Sequence, residues 1–258
     1  MAAEDTPLSP GLAHLQGIRE YELDVAAGWF PPRARVLEIG AGAGWQARRL
    51  AGQGFEVEAV DLAVSNYREV QVFPVTVYDG HHLPFPEGHF DVVYSSSVLE
   101  HVPHLDALLV EMKRVLKPGG MAVHVVPSAC WRFWTLAAHY PFVVKAAWGM
   151  LRGRGAPTSP GAAAGAGGTA KSRWREALWP ERHGERGTAI TELYEFSHFA
   201  WGTRFRRGGW RIQTRSTTRV FYTGYAVVGG GWSLERRRGL RHVLGSACHV
   251  YVIVPRRG

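Results

Sequence analysis

Cysteine is scarce in this 258-residue chain, with only Cys130 and Cys248, 118 positions apart. No CxxC occurs, which excludes a disulfide scaffold or a cysteine zinc site as the organising principle. Lysine is nearly missing too: 4 residues against 26 arginines. No HExxH and no Cys/His set at zinc spacing is found among the twelve histidines, so no metal is expected. No uninterrupted apolar run reaches the roughly 20 residues of a membrane span. The start, MAAEDTPLSP, is acidic and lacks the basic and apolar regions of a secretory leader, which leads to the expectation of a cytoplasmic protein.

What is present is a globular composition, 46% apolar and 20% charged, of a length suited to one α/β domain. The net charge of +8 is unevenly placed: residues 1–130 carry 9 basic and 16 acidic side chains, residues 131–258 carry 21 and 6. A basic half attracts nucleic acid, anionic membrane or an anionic substrate; an arginine-rich composition alone gives the same count.

The first half alternates strand and helix patterns. Strands are expected at 35–39, 56–60, 72–77, 90–94 and 121–126, with helices at 45–53, 64–70 and 105–117. In the last of these, Leu105, Leu108, Leu109, Met112 and Leu116 share one stripe. Such alternation implies βαβ units, a mostly parallel sheet and ligands at the carboxyl ends of its strands. After 126 the pattern breaks. Residues 131–151 are aromatic and apolar and read as an interfacial segment or a substrate lid. Residues 152–170 are Gly/Ala/Pro-rich and read as a flexible loop. A helix at 191–207 and strands at 210–214 and 248–254 complete one domain over 1–258, with 131–200 as an insertion after the fifth strand.

The strongest local feature is Val36-Leu37-Glu38-Ile39-Gly40-Ala41-Gly42-Ala43-Gly44-Trp45. A glycine turn between a first strand and a helix lets a ligand approach the backbone. The dinucleotide pattern GxGxxG would place its third glycine at position 45, which is Trp45, and this weakens that reading. Asp61 ends the second strand about 20 residues on, where an acid accepts ribose hydroxyls. Asp79-Gly80 follows the third strand and is also an ordinary turn pair.

VLEIGAGAG, EAVDL, YDGHHLPFPEGHFDVVYSS, SVLEHV and EMKRVLKPGGMAVHVVP, in that order over residues 33–127, resemble the class I S-adenosylmethionine-dependent methyltransferases of the bacterial small-molecule (type 11-like) kind. The resemblance implies a Rossmann-like, doubly wound seven-stranded sheet, mostly parallel with an antiparallel last strand. It implies S-adenosyl-L-methionine as cofactor, with Gly40, Ala41, Gly42 and Gly44 around its methionine part. Glu38 would lie beneath the turn, ordering the loop and the amino group. Asp61 would take the ribose hydroxyls, with Leu62 against the adenine and Asp79 and Gly80 at the adenine edge. Ser95 and Ser96 would line the methyl end. His101, in LEHV, fits the family pattern, and a capping or packing role fits it as well.

The acceptor is less legible. Residues 12–30 form a candidate covering helix, with His14 and Tyr21 as pocket candidates. His183, between a loop and a helix, is a candidate base, though an exposed loop histidine would look the same. His81 and His82 belong to the adenine-side loop. The expected reaction is methyl transfer to a small-molecule or lipid-like acceptor, at oxygen before carbon or nitrogen, with peripheral membrane contact through 131–151 and Arg236-Arg237-Arg238. Nucleic acid is disfavoured as acceptor, because Ser95-Ser96-Ser97-Val98 stands where base-amino methyltransferases carry Asn-Pro-Pro-Tyr. A non-catalytic module that keeps the cofactor pocket is the remaining rival.

Overall fold

A computed structural model describes residues 10–63, 71–151, 180–223 and 232–256. The helix expected at 64–70 and the loop expected at 152–170 lie outside them. The elements in order are α1 (Pro10–Ala27), β1 (Arg35–Ile39), α2 (Trp45–Gly52), β2 (Glu56–Leu62), β3 (Thr76–Tyr78), β4 (Phe90–Ser96), a 3-10 turn (Leu99–His101), α3 (Leu105–Val115), β5 (Leu116–Pro127), α4 (Ala129–Leu151), α5 (Glu192–Glu195), α6 (His198–Arg207), β6 (Trp210–Thr217), α7 (Leu234–Leu244) and β7 (Cys248–Pro255).

The strands form one seven-stranded sheet in the order β3-β2-β1-β4-β5-β7-β6. β3, β2, β1, β4 and β5 are parallel, and β7 runs antiparallel to both β5 and β6. The antiparallel last strand and the two strands drawn from residues after 210 are as expected from the sequence.

Alternation along the central strands sends side chains to two cores. Leu37, Ile39 and Val93 pack with Leu105, Leu108, Met112, Trp201 and Phe205 on the side of α3 and α6. Val36, Val92 and Tyr94 pack with Leu23, Leu50 and Trp131 on the side of α1, α2 and α4. The stripe read on α3 is the buried one over Leu105, Leu108, Leu109 and Met112, with Val115 added.

Three boundaries differ from expectation. β3 begins at Thr76 rather than 72, because the Val72 N–H donates to Ala43 O (2.8 Å) and ties that stretch to the glycine turn. β5 begins at Leu116, paired with Phe90, and an irregularity between Phe90 and Val92 keeps residues 118–120 within the strand. The helix expected over 191–207 divides into α5 and α6, because the Ser197 side chain accepts the Ala200 N–H and starts a new helix.

Inside the α6-side core, Ser95 Oγ and His124 Nδ1 are 2.8 Å apart, both residues fully buried, and the imidazole stacks on Phe205. Burial pushes His124 down to about 3, so the ring is neutral. Ser95→Ala is expected to strand that ring nitrogen and cost about 1–3 kcal/mol in urea unfolding. Unchanged stability would contradict this placement.

Candidate functional site

The carboxyl ends of β1, β2 and β4 meet at the glycine turn. Gly40, Gly42 and Gly44 all have positive φ (74°, 56° and 80°). The N–H groups of Gly40 and Ala41 both donate to Val60 O, at 2.8 and 3.1 Å, so the turn is sewn to β2. A Cβ on Gly40 would stand 2.4 Å from Val98 Cγ2. The residue after β1 must therefore be glycine both for its backbone angle and for the approach of the segment that follows β4.

Asp61 sits at the tip of β2, and its carboxylate accepts the N–H of Gly42 (2.8 Å) and of Leu62 (2.7 Å). A carboxylate has about four acceptor positions, so about two stay open for a ligand. Asp79 is more fully engaged. Its Oδ1 accepts the N–H groups of His81 and His82, both at 2.7 Å, and its Oδ2 lies 3.2 Å from His82 Nδ1. These bonds hold its carboxyl well below the ordinary range, and its visible task is to close the turn through His81 and His82. Gly80 follows with φ 83°, beside the Leu62 side chain.

Glu38 lies beneath the turn, 2% exposed. Burial, with the nearby Asp61 charge, pushes its carboxyl up to about 8, against a hydrogen bond from the backbone of Ala47. Its Oε2 is buried without a protein partner. A buried orphan oxygen under the glycine turn suits a bound cationic or N–H-bearing group.

The remaining candidates are divided. Ser96 ends β4 half-buried at the same strand edge, whereas Ser95 turns into the opposite core and spends its hydroxyl on His124. Tyr21 meets Arg238, whose guanidinium lies 5.5 Å from the ring, rather than facing the turn. His14 falls where side chains are not described.

His101 and His183, 82 positions apart in the chain, come together with ring centroids 4.8 Å apart. The loop carrying His183 is clamped from below. Glu192 Oε1 accepts the N–H groups of His183 (2.7 Å) and Gly184 (2.6 Å), and its Oε2 pairs with Arg132 Nε at 2.9 Å. Gly184 allows the approach, since a Cβ there would be 2.9 Å from the Glu100 carbonyl oxygen. The Glu185 N–H then donates to that same oxygen at 2.9 Å. Trp131 lies against His183, with centroids 4.6 Å apart. Burial pushes His183 down to about 3, with His101 and Arg132 adding to the effect.

Glu100 itself escaped the sequence reading. It lies between the two histidines with a fully buried side chain. Among the described residues no other side chain hydrogen-bonds its oxygens, and burial pushes its carboxyl up to about 8, against its own backbone N–H and the Arg19 charge. Nothing in LEHV separates it from an ordinary helix-turn glutamate. Nearby, Arg19 on α1 bonds Ser97 Oγ (2.6 Å) and Glu22 (3.0 Å), and the Tyr222 hydroxyl donates to Glu22 (3.1 Å), which ties α1 over the strand ends.

A sheet of this order with antiparallel β7, and a glycine turn after β1, is the architecture of the class I S-adenosylmethionine-dependent methyltransferases. The chain belongs to the methyltransferase-domain family, whose model matches residues 15–157, and its cofactor is S-adenosyl-L-methionine. The ubiquinone/menaquinone biosynthesis C-methyltransferase UbiE of Cupriavidus necator is 36% identical over 112 residues, 39% of this chain and 46% of that protein. The biotin biosynthesis bifunctional protein BioHC of Cellvibrio japonicus is 36% identical over 95 residues, 35% of this chain and 19% of that one. The chain thus spans about half the length of the UbiE relatives it matches. Two solved structures share the fold: an S-adenosylmethionine-dependent methyltransferase from Mesorhizobium loti (18% identity, 92% and 98% coverage, TM-score 0.52) and the [4+2]-cyclase SpnF (16%, 93% and 81%, 0.51).

Because the Glu38 carboxyl is raised in the folded state, the protein holds there a proton that the unfolded chain releases. Its contribution is therefore lost as pH rises from the ordinary carboxylate range through about 8. Glu38→Gln should remove that loss. The melting temperature of the variant is expected to gain on the wild type between about pH 5 and about pH 8.5. A pH-independent difference would contradict the assignment.

Proposed function

We propose that the protein transfers the methyl group of S-adenosyl-L-methionine to the oxygen of a hydroxyl-bearing, lipid-like ring acceptor. When bound, the cofactor supplies an electrophilic methyl group on a sulfonium centre. The turn over Gly40, Ala41, Gly42 and Gly44, closed on by Val98 and Phe73, would lie along its methionine part. Glu38 Oε2 would receive the amino group, and the open positions of Asp61 would receive the ribose hydroxyls. Leu62 and Gly80, with Asp79 closing their turn, would flank the adenine, and Ser96 would face the methyl end.

The observation that carries the reading is convergence. Val98 covers Gly40, and the three residues that follow lead to His101, where His183 arrives from the far side of the chain. Two imidazoles and Trp131 come together here and would border the methyl end of a bound cofactor. They would orient an acceptor hydroxyl and its ring in line with the methyl at the roughly 3–3.5 Å that displacement needs. An acceptor hydroxyl held there would gain the O–C bond while the sulfonium took back the C–S electron pair, and its proton would pass to water. A second reading, transfer to the ring carbon beside the hydroxyl, is favoured by the C-methyltransferase relatives. Likeness of fold alone does not decide the reaction, as the cyclase with the same sheet illustrates.

A lipid-like acceptor fits the outer face of α4. Phe133, Tyr140, Val144 and Trp148 are each more than half exposed and fall at helical spacing on one stripe. Trp134 Nε1 donates to Leu244 O (2.9 Å), which joins α4 to α7 with its exposed Arg236 and Arg238. Apolar side chains beside arginines suit an anionic bilayer surface. No described helix is long and apolar enough to cross a membrane.

Asp61→Ala is expected to weaken S-adenosylhomocysteine binding by about 1–3 kcal/mol in calorimetry. Labelled methyl from the cofactor should appear in hydroxylated ring compounds of a host lipid extract. Unaltered affinity, or label in no such compound, would contradict the proposal. For the membrane face, the double variant Phe133→Ser and Trp148→Ser is expected to lose most co-sedimentation with phosphatidylserine vesicles. Equal binding to neutral vesicles would argue against the arginines.

A further inference from the structure

Glu100 poses a question that methyl transfer alone does not answer. A fully buried carboxylate that, among the described residues, has no hydrogen-bond partner beyond its own backbone N–H is costly unless something completes it. Its Oε1 lies 3.9 Å from His101 Nε2 and 3.9 Å from His183 Nε2, and one donor atom of each residue falls within 4.8 Å of the other two. Both nitrogens turned toward that oxygen are ligand atoms, and the spacing is wide for hydrogen bonds yet close to what a shared ion bridges.

We propose that Glu100, His101 and His183 bind a divalent transition-metal cation of the zinc class, and that its open position takes an oxygen of the methyl acceptor. The second half of this proposal rests on the methyl-transfer reading; the first does not. Two imidazoles and one carboxylate are a recurring ligand set for zinc and for non-haem iron, with one or more positions left for water or substrate. Bond lengths of about 2.0–2.2 Å require only that the three side chains close in by small rotations. The histidine side chains are 43% and 36% exposed while that of Glu100 is 0%, so the unfilled position faces outward, toward an incoming acceptor.

The cluster holds charges of both signs. Arg19, paired with Glu22, is felt at Glu100, His101 and His183, and Arg132, paired with Glu192, is felt at His183, so a cation would have to compete with both guanidiniums. Glu22 and Glu185 add negative charge that is felt at Glu100 and His101. The loop is also built to hold its ligand. Glu192 fixes the backbone at His183 and Gly184, and Glu185 N–H bonds the carbonyl of Glu100. A cation here would stand beside Val98 and therefore at the methyl end of the glycine turn. It would polarise the acceptor hydroxyl, release its proton to water and hold the oxygen for attack.

The sequence points away from a metal because the ligands follow no spacing rule: two are adjacent and the third comes 82 positions later. The test is titration of the metal-free full chain with Co2+, read by visible absorption, and equilibrium dialysis with Zn2+. Wild-type protein is expected to bind one equivalent. Glu100→Gln, His101→Ala and His183→Ala should each weaken binding at least about tenfold, whereas His242→Ala, on the surface of α7, should bind like wild type. Circular dichroism on every variant reports whether it is folded, and S-adenosylhomocysteine calorimetry on the wild type tests the methyl-transfer reading separately. No cation bound to the wild type, or ligand variants that bind like wild type, overturns the site, and the wild-type titration alone suffices if a variant fails to fold. Cation binding without S-adenosylhomocysteine binding would leave the metal site standing and remove the methyl-transfer reading; the opposite result would do the reverse.

Discussion

The hydrogen bonds from Gly40 and Ala41 to Val60, and from Gly42 to Asp61, are the constraint on which the site depends. They bend the chain sharply at the end of β1 and pin the bend to β2. Neighbouring segments close on the bend, with Val98 in the space a Gly40 side chain would take and Phe73 in the space a Gly44 side chain would take. The sheet order reverses direction at the same place. β2 and β3 extend to one side of β1, and β4 and β5 to the other, which makes the ends of β1 and β4 the switch point at which sheets of this kind bind ligands. The proposed cofactor turn and the proposed acceptor edge both lie at that point.

Parts of the chain far apart in sequence are fastened here by buried charge as well as by apolar contact. α1 is fastened by Glu22, which receives Arg19 and Tyr222, and Arg19 reaches on to Ser97 beyond β4. The 183–185 loop is fastened by Glu192 and Arg132, on α5 and α4. Removing one member of such a pair leaves an uncompensated buried charge, so these anchors specify position strongly even where they add little net stability. The histidine pair inherits its geometry from them.

How much of this was legible follows from the range of the interactions involved. The glycine turn, the acid ending β2 and the α3 stripe are local patterns of period and spacing, and they stand where the sequence places them. Seven strands, mostly parallel with an antiparallel last one, follow from the resemblance over residues 33–127. Boundaries set by tertiary contact were not legible: β3 waits for Val72 to finish bonding Ala43, and Ser197 divides a helix that reads as continuous. Ser95 shows the limit of strand alternation. A serine at a strand end next to a binding edge looks like a ligand contact, yet the pleat turns it toward His124. Glu100 was hidden for the opposite reason, since only the fold brings His183 to it. His101 and His183 were singled out separately, and their meeting could not be read from positions 82 apart.

The central claim is that the glycine turn after β1, with Glu38 below and Asp61 beside it, receives an adenosyl amino acid. Isothermal titration of the full chain with S-adenosylhomocysteine and, separately, with NAD tests it most directly. The account expects saturable one-to-one binding of S-adenosylhomocysteine and no heat with NAD. Binding of NAD, or silence toward S-adenosylhomocysteine by a folded protein, would contradict it.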